Sequence, residues 1–235
     1  MTNKTLLRHA DKSEVREFIN KLDNMPLVRQ SENRGRLVFA MDATASRQPT
    51  WDRACHIQGR MFEVTNSLGG LDVQLCYYHG FEIFHTSRWS NKASSLLREM
   101  TGVCCAAGHT QIHKVLEHVL TESRKHKVNA TVFIGDCMEE DPDRLVKLAG
   151  ELGIRGVPLF IFHEGDEPTA ATVFRRMAKS SYGAYCHFNA HSAEHLGELL
   201  GAVAVFAAGG QLALNDYTSR HGPGVLQLTK QIKRD

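Results

Sequence analysis

Residues 36–46 read Arg36-Leu37-Val38-Phe39-Ala40-Met41-Asp42-Ala43-Thr44-Ala45-Ser46, an apolar run that ends abruptly in an acid and two hydroxyls at alternate positions. The run is continuous rather than alternating, which predicts a central strand buried on both faces of a sheet. Asp42, Thr44 and Ser46 leave the end of this strand with oxygens that are able to converge. A carboxylate with hydroxyls suits Mg²⁺, Mn²⁺ or Ca²⁺ better than Zn²⁺ or Cu²⁺. The alternative is that Asp42 is a turn residue and the hydroxyls cap a helix.

Two later stretches place more oxygen ligands near that strand end. Gly108-His109-Thr110 puts a glycine and a hydroxyl just ahead of a helical pattern, and Ala130–Ile134 is a second buried strand that ends in Gly135-Asp136. In an open parallel sheet, ligands bind at the carboxyl ends of the strands, where the strand order reverses. We therefore expect Thr110 and Asp136 to lie at the same rim as Asp42.

The three motifs in this order resemble the von Willebrand factor A (VWA) domain and its metal-ion-dependent adhesion site. That family reads D-x-S-x-S, then Thr, then Asp, and the resemblance covers roughly residues 37–214. Thr44 stands where the family usually has Ser, and Cys137 follows Asp136 where Gly is common. The resemblance implies a site for a divalent cation, with Mg²⁺ expected and Mn²⁺ or Ca²⁺ as alternatives. Carried over by position, its metal ligands are Asp42, Thr44, Ser46, Thr110 and Asp136.

As the resemblance implies, the function is metal-dependent protein–protein recognition without catalysis. A partner carboxylate would complete the metal shell, and intracellular members of the family serve multiprotein assemblies, some with AAA+ ATPases. The alternative is a metal-dependent phosphohydrolase of the haloacid dehalogenase type, which also places an Asp after a strand. That chemistry needs a second acid two residues later, where this chain has Thr44. The sequence contains no GxSxG, P-loop or GxGxxG motif.

The composition of the chain limits which binding partners and which cellular compartment we expect. The net charge of +2 over 235 residues gives no case for nucleic acid or an anionic membrane as a partner. The six cysteines form no CxxC pair, which predicts free thiols in a reducing compartment, and residues 1–10 lack the apolar core of a signal peptide. We therefore expect a cytoplasmic protein. The 13 histidines are dispersed and are interpreted as structural or solvated, with His109 the exception because it abuts Thr110.

The alternation of strand and helix patterns predicts an α/β fold with a doubly wound, mostly parallel six-stranded sheet. A two-residue turn at His79-Gly80 would make residues 81–85 an antiparallel edge strand against 72–78. We divide the chain into an N-terminal helical extension (1–35, with an amphipathic helix at Asp11–Leu22), a VWA-like domain (36–214) and a tail (215–235). Further predicted elements are helices at 50–66, 91–100, 111–127, 142–152, 169–180 and 191–214, and strands at 157–162 and 185–188.

The rim loops also suggest a docking surface. We expect it to be formed by residues 47–51, 86–89, 108–110 and 137–141. Trp51 and Trp89 are its candidate anchors, because tryptophan is enriched at interface hot spots. Arg47 and Arg88 could pair with an acidic partner segment. The alternative is that both tryptophans are core residues.

Overall fold

The computed structural model describes residues 34–65, 69–188 and 193–220. The predicted helix Asp11–Leu22 and most of the predicted tail lie outside these residues. Six strands form one sheet, in which the strand order is β3-β2-β1-β4-β5-β6. The strands are β1 (Gly35–Asp42), β2 (Leu71–His79), β3 (Ile83–Thr86), β4 (Ala130–Gly135), β5 (Leu159–Glu164) and β6 (Tyr185–Phe188).

Strand β1 lies in the centre of the sheet, as its continuous apolar run predicts. It pairs in parallel with β2 on one side and with β4 on the other, and only β3 runs antiparallel, at the edge. The strand order reverses between β1 and β4, which confirms the predicted doubly wound α/β fold with one antiparallel edge strand. Nine residues in the apolar runs of β1, β4 and β5 are at most 1% exposed: Leu37, Val38, Phe39, Val132, Phe133, Ile134, Leu159, Phe160 and Ile161.

Among the described residues, seven α-helices cover both faces of the sheet. Those on one face are α1 (Gln48–Ile57), α2 (Gly59–Thr65), α3 (Ala93–Thr101) and α7 (Ala193–Arg220). Those on the other face are α4 (Ile112–Lys125), α5 (Pro142–Ile154) and α6 (Pro168–Ser180). A short 3₁₀ turn, Ala45–Arg47, connects β1 to α1. In the described residues, no helix combines the length and the apolarity needed to cross a membrane.

Three predicted elements differ from the structure. The helix predicted over 50–66 is two helices, because α1 ends at Ile57 and α2 begins at Gly59, a residue that weakens a helix interior. The hairpin loop is Gly80–Glu82 rather than His79-Gly80, so β3 begins at Ile83, and Gly80 and Glu82 both have positive φ. Helix α7 continues to Arg220 and is kinked at Gly210 (φ 70°).

Strand β5 is the correction that bears on the site. It was predicted over 157–162 with His163 and Glu164 in a loop, but it runs from Leu159 to Glu164 and buries both polar residues. Its pairing with β4 and β6 continues through His163, since Gly135 pairs with His163 and His163 with His187. Two ionisable side chains therefore lie inside the sheet, next to the strand end that carries Asp136.

Candidate metal centre

Asp42 is the most buried of the predicted ligands. It ends β1 with 1% of its surface exposed, and its Oδ1 accepts a hydrogen bond from the Thr44 backbone N–H at 2.7 Å. Its Oδ2 is buried and has no hydrogen-bond partner. Burial raises the pKa of the Asp42 carboxyl to about 6; the negative charge of Asp136 adds to the rise, while Thr44 and Arg47 oppose it. The ionised form of this carboxylate is therefore only partly compensated by nearby donors and positive charge.

Ser46 and Asp136 meet across 90 residues of sequence. The Ser46 hydroxyl donates to Asp136 Oδ2 at 2.7 Å, while Asp136 Oδ1 is buried without a hydrogen-bond partner. Asp136 follows β4, and β4 pairs directly with β1, so the two acids lie at neighbouring strand ends. The structure therefore brings Asp42, Thr44, Ser46 and Asp136 into one cluster.

His163, in the neighbouring strand β5, holds the backbone of Asp136 by a hydrogen bond. Its Nε2 lies 3.0 Å from the Asp136 carbonyl oxygen and its Nδ1 lies 2.8 Å from the Tyr185 hydroxyl. Because a carbonyl only accepts, Nε2 carries the proton and Nδ1 accepts from Tyr185. Burial lowers the pKa of His163, which favours this neutral form. The imidazole therefore positions Asp136 without adding a positive charge.

Thr110 is held by the acidic loop instead of by the other predicted ligands. Its hydroxyl donates to Glu140 at 2.5 Å and accepts the Glu139 backbone N–H at 2.9 Å, and its own N–H donates to the Glu139 carboxylate at 3.0 Å. Glu140 also accepts from the backbone N–H of Ile112 at the start of α4, where a carboxylate complements the helix dipole. The two glutamates thus lock Thr110 to residues 137–141. His109 joins the same loop through Nδ1, 2.9 Å from Glu139.

Two further residues, Arg47 and Glu164, belong to the cluster. The sequence analysis assigned Arg47 to the docking surface, where it would pair with a partner, and did not name Glu164 as a site residue. The side chain of Arg47 is 4% exposed; its Nη2 binds the Glu164 carboxylate, and its Nη1 lies 3.6 Å from Asp136 Oδ2. The Thr50 hydroxyl also donates to Glu164, and Arg53 lies 3.7 Å from the second Glu164 oxygen. The signal for Arg47 was its position directly after Ser46. Glu164 gave no such signal, because the sequence around it fits the end of a strand and the start of a loop equally well.

The oxygen atoms of the cluster fit a hard divalent cation. Asp42 Oδ2 and Asp136 Oδ1 are buried carboxylate oxygens without a hydrogen-bond donor, a costly arrangement that a cation would relieve. The hydroxyls of Thr44 and Ser46 add neutral oxygens of the type that Mg²⁺, Mn²⁺ and Ca²⁺ accept. In the part of the chain described, no group of three or more His, Cys, Asp or Glu side chains is arranged to hold a metal. A metal here would thus depend on the hydroxyls as well as the two acids.

Two thiols lie near this cluster. Burial raises the pKa of Cys105 to about 11 and that of Cys137 to about 12, and the negative charge of Asp42 adds to both shifts. Without a metal ion, both thiols are therefore neutral at pH 7 and leave the negative charge of the cluster to its carboxylates.

The two tryptophans that were predicted as docking anchors, Trp51 and Trp89, do not form an exposed surface at the rim. Trp51 is 1% exposed and donates its indole N–H to the Met100 carbonyl at 2.8 Å, so it is a core residue. Trp89 lies at the opposite end of the sheet, because β3 runs antiparallel and carries the chain back to the start of β2. There its ring lies under the Arg36 guanidinium and its N–H donates to Glu122. The large exposed side chain near Thr110 is Phe81, 69% exposed, whose ring contacts His109.

Comparison with known proteins supports the fold. No protein-family model matches the sequence, and no curated protein matches it. The VWA domain of SpRpn10 is similar in structure, with a TM-score of 0.55 and 12% identity over 76% of this chain and 98% of that one. Proximal thread matrix protein 1 from the mussel byssus, with a zinc-occupied MIDAS motif, gives a TM-score of 0.58 and 12% identity over 76% of this chain and 48% of that one. The pilus adhesin SpaC of Lactobacillus rhamnosus GG gives 0.56 and 10% identity, over 80% and 31%. The fold is that of a VWA domain, as the motif order predicts.

Proposed function

We propose that this chain is a metal-dependent protein-interaction module. The observation that carries the proposal is the pair of partnerless buried oxygens, Asp42 Oδ2 and Asp136 Oδ1, at the strand-order reversal of a VWA fold. Asp42, Thr44, Ser46 and Asp136 would hold the cation. Thr110 would contact the cation directly or through a water. Its hydroxyl donates to Glu140 in the acidic loop, and its lone pairs remain those of a neutral oxygen ligand.

The residues of this chain define what such a site offers a partner. A bound cation supplies a Lewis-acidic position that an acidic side chain of another protein can complete. In its absence, burial raises the pKa of Asp42, and repulsion by Asp136 adds to the rise. The fold accommodates a divalent ion in the mussel protein, whose MIDAS motif is described as zinc-occupied. The oxygen-only set here favours Mg²⁺, with Mn²⁺ or Ca²⁺ as alternatives.

The finer function is a role in a cytoplasmic multiprotein assembly, with an AAA+ ATPase as one candidate companion. It rests on the resemblance together with the absence of a CxxC pair from the sequence. Catalysis is not part of the proposal. The haloacid dehalogenase alternative needs a second acid at position 44, and the structure has a threonine there whose backbone N–H binds Asp42.

Calorimetry tests the metal centre directly. Mg²⁺ or Mn²⁺ titrated into the EDTA-stripped protein should show one site, and Asp42→Ala should abolish it while the circular dichroism spectrum is retained. Asp166→Asn is the matched control, since this acid lies at the same rim but has a side chain 93% exposed. Unchanged affinity in Asp42→Ala would contradict the proposal.

A pulldown from the native source tests the interaction. We expect partners that are captured with Mg²⁺, lost with EDTA and lost with Asp42→Ala. Capture that is equal under all three conditions would place recognition elsewhere on the molecule. Phosphatase turnover that disappears in Asp42→Asn would instead favour the phosphohydrolase alternative.

A further inference from the structure

Arg47 places a positive charge against one of the proposed metal ligands. Its Nη1 lies 3.6 Å from Asp136 Oδ2, the oxygen that also accepts the Ser46 hydroxyl proton at 2.7 Å. Arg47 directly follows Ser46, and only 4% of its side chain is exposed. A guanidinium is always charged in proteins, so its attraction for Asp136 is permanent.

Glu164 holds Arg47 in this position. Its Oε2 accepts from Arg47 Nη2 and from the Thr50 hydroxyl, and Arg53 lies 3.7 Å from its Oε1. Glu164 belongs to β5, whose pairing with β4 fixes its distance from Asp136. One carboxylate on the rigid sheet thus determines how far the Arg47 guanidinium can reach toward Asp136.

The arrangement is not that of a fully satisfied structural ion pair. Arg47 Nε and Asp136 Oδ1 are both buried without a hydrogen-bond partner. Buried ion pairs offset their desolvation cost only when the remaining donors and acceptors are also bonded. Here one donor of the arginine and one acceptor of the aspartate stay unmatched.

We infer that Arg47 is a built-in competitor for the divalent cation and that Glu164 positions it, so that the two residues together set the metal affinity. This inference rests on the proposed function. A divalent ion bound by Asp42 and Asp136 is repelled by the nearby guanidinium, and Asp136 is shared between the two cations. Arg47 is an affinity-determining residue, and Glu164 is a positioning residue that acts through it.

Four variants test the inference by Mg²⁺ and Mn²⁺ calorimetry on the full chain. Arg47→Gln removes the competing charge, and we expect affinity at least tenfold higher than in the unmodified protein. Arg47→Lys keeps the charge and should stay within about threefold. Glu164→Gln releases Arg47 toward Asp136 and should weaken binding at least tenfold. Arg53→Gln is the matched control, since Arg53 also faces Glu164 but has no contact with Asp136, and it should stay within about twofold.

The double variant Arg47→Gln/Glu164→Gln separates positioning from simple charge. If Glu164 acts only through Arg47, the double variant should bind as tightly as Arg47→Gln and at least tenfold more tightly than the unmodified protein, because Glu164 has no effect once Arg47 is gone. A double variant at least tenfold weaker than Arg47→Gln would show that Glu164 acts through its own charge. It removes both charges of the buried pair, so it also serves if Arg47→Gln leaves Glu164 unpaired and fails to fold. A double variant as weak as Glu164→Gln overturns the inference.

The outcomes distinguish this inference from the metal centre itself. One Asp42-dependent site whose affinity does not rise in Arg47→Gln or in the double variant keeps the metal centre and overturns the role of Arg47. Metal binding that is measurable only after Arg47 is replaced supports both the metal centre and the role of Arg47. Absence of binding in every folded variant overturns both.

Discussion

At the scale of single residues, the buried carboxylate of Asp42 lowers the stability of the folded chain at neutral pH. Its pKa is about 6 in the folded chain, against an ordinary value of 3.8. Between these two pH values the folded state holds a proton that the unfolded state has released. The free energy of unfolding therefore falls as pH rises through this window, and the full penalty is present above pH 6.

We expect Asp42→Asn to stabilise the EDTA-treated protein at pH 7 by on the order of 2–3 kcal/mol, since it removes a buried charge and keeps the oxygen that accepts from Thr44. Urea unfolding between pH 4 and pH 8 is the measurement. The stability of the variant should change less than that of the unmodified protein between pH 4 and pH 6. Asp166→Asn should show no such difference. A variant less stable than the unmodified protein at pH 7 would contradict the role assigned to burial.

The individual site residues differ in how well sequence could predict them. Asp42 and Asp136 follow apolar runs, and the ends of parallel strands meet at one edge, so their proximity was predictable. Arg47 and Glu164 are 117 residues apart, and their pairing depends on β5 extending two residues past its apolar run. Burial of a histidine and a glutamate in a strand is decided by tertiary partners, which no local pattern contains.

At the scale of elements, the β2–β3 hairpin is attached to the loop that carries Thr110. The His109 backbone N–H donates to the Gly80 carbonyl at 3.2 Å, and a Cβ atom added to Gly108 would lie 2.0 Å from that same oxygen. Only glycine permits this approach of the two backbones. The hairpin loop therefore helps to position Thr110.

We expect Gly108→Ala to lower the free energy of unfolding by more than about 1 kcal/mol and to weaken Mg²⁺ binding, because the two loops must separate. Chemical unfolding and calorimetry measure the two effects. Gly59→Ala is the matched control, since a Cβ at Gly59 meets no atom within 4 Å. Equal behaviour of the two variants would show that the contact is dispensable.

The elements themselves were predicted best where one strong pattern determines them. The amphipathic pattern of α4 and the Asp141-Pro142 start of α5 gave both helices nearly to the residue, and Asp141 indeed accepts the Asp143 N–H. The predicted hairpin loop was too short. Glu82 adopts a positive φ, which is uncommon for residues other than glycine, so its residue type did not indicate a turn. The break between α1 and α2 was missed because Ala54 and Met61, on either side of it, keep the seven-residue spacing of one helix face.

At the scale of the whole molecule, the sheet separates two apolar cores. One lies between the sheet and α1, α2, α3 and α7, and the other lies between the sheet and α4, α5 and α6. Side chains of β1 alternate between them: Leu37, Phe39 and Met41 face the first core, and Val38 and Ala40 face the second. The two cores therefore depend on the same central strand.

We expect Phe39→Ala to cost roughly 3–5 kcal/mol, since Phe39 is fully buried and its loss leaves a cavity. Denaturant unfolding measures the cost, and the variant that remains folded should bind Mg²⁺ as the unmodified protein does. Phe81→Ala, at a side chain 69% exposed, should change stability by less than about 0.5 kcal/mol. A similar cost at both positions would argue against the core described for β1.

The parallel pairing of β1 with β4 has a kinetic consequence. Leu37 pairs with Ala130, and the Ser46 hydroxyl reaches Asp136, 90 positions later in the sequence, only after the chain between them has been brought round. Contacts so distant in sequence form slowly, because the chain loses the entropy of a long loop before it gains the pairing. Early, partly collapsed forms lack a joined pair of acids, so Mg²⁺ has little to bind there. The ion should consequently leave the refolding rate almost unchanged and act as a brake on unfolding, lengthening the lifetime of the folded chain.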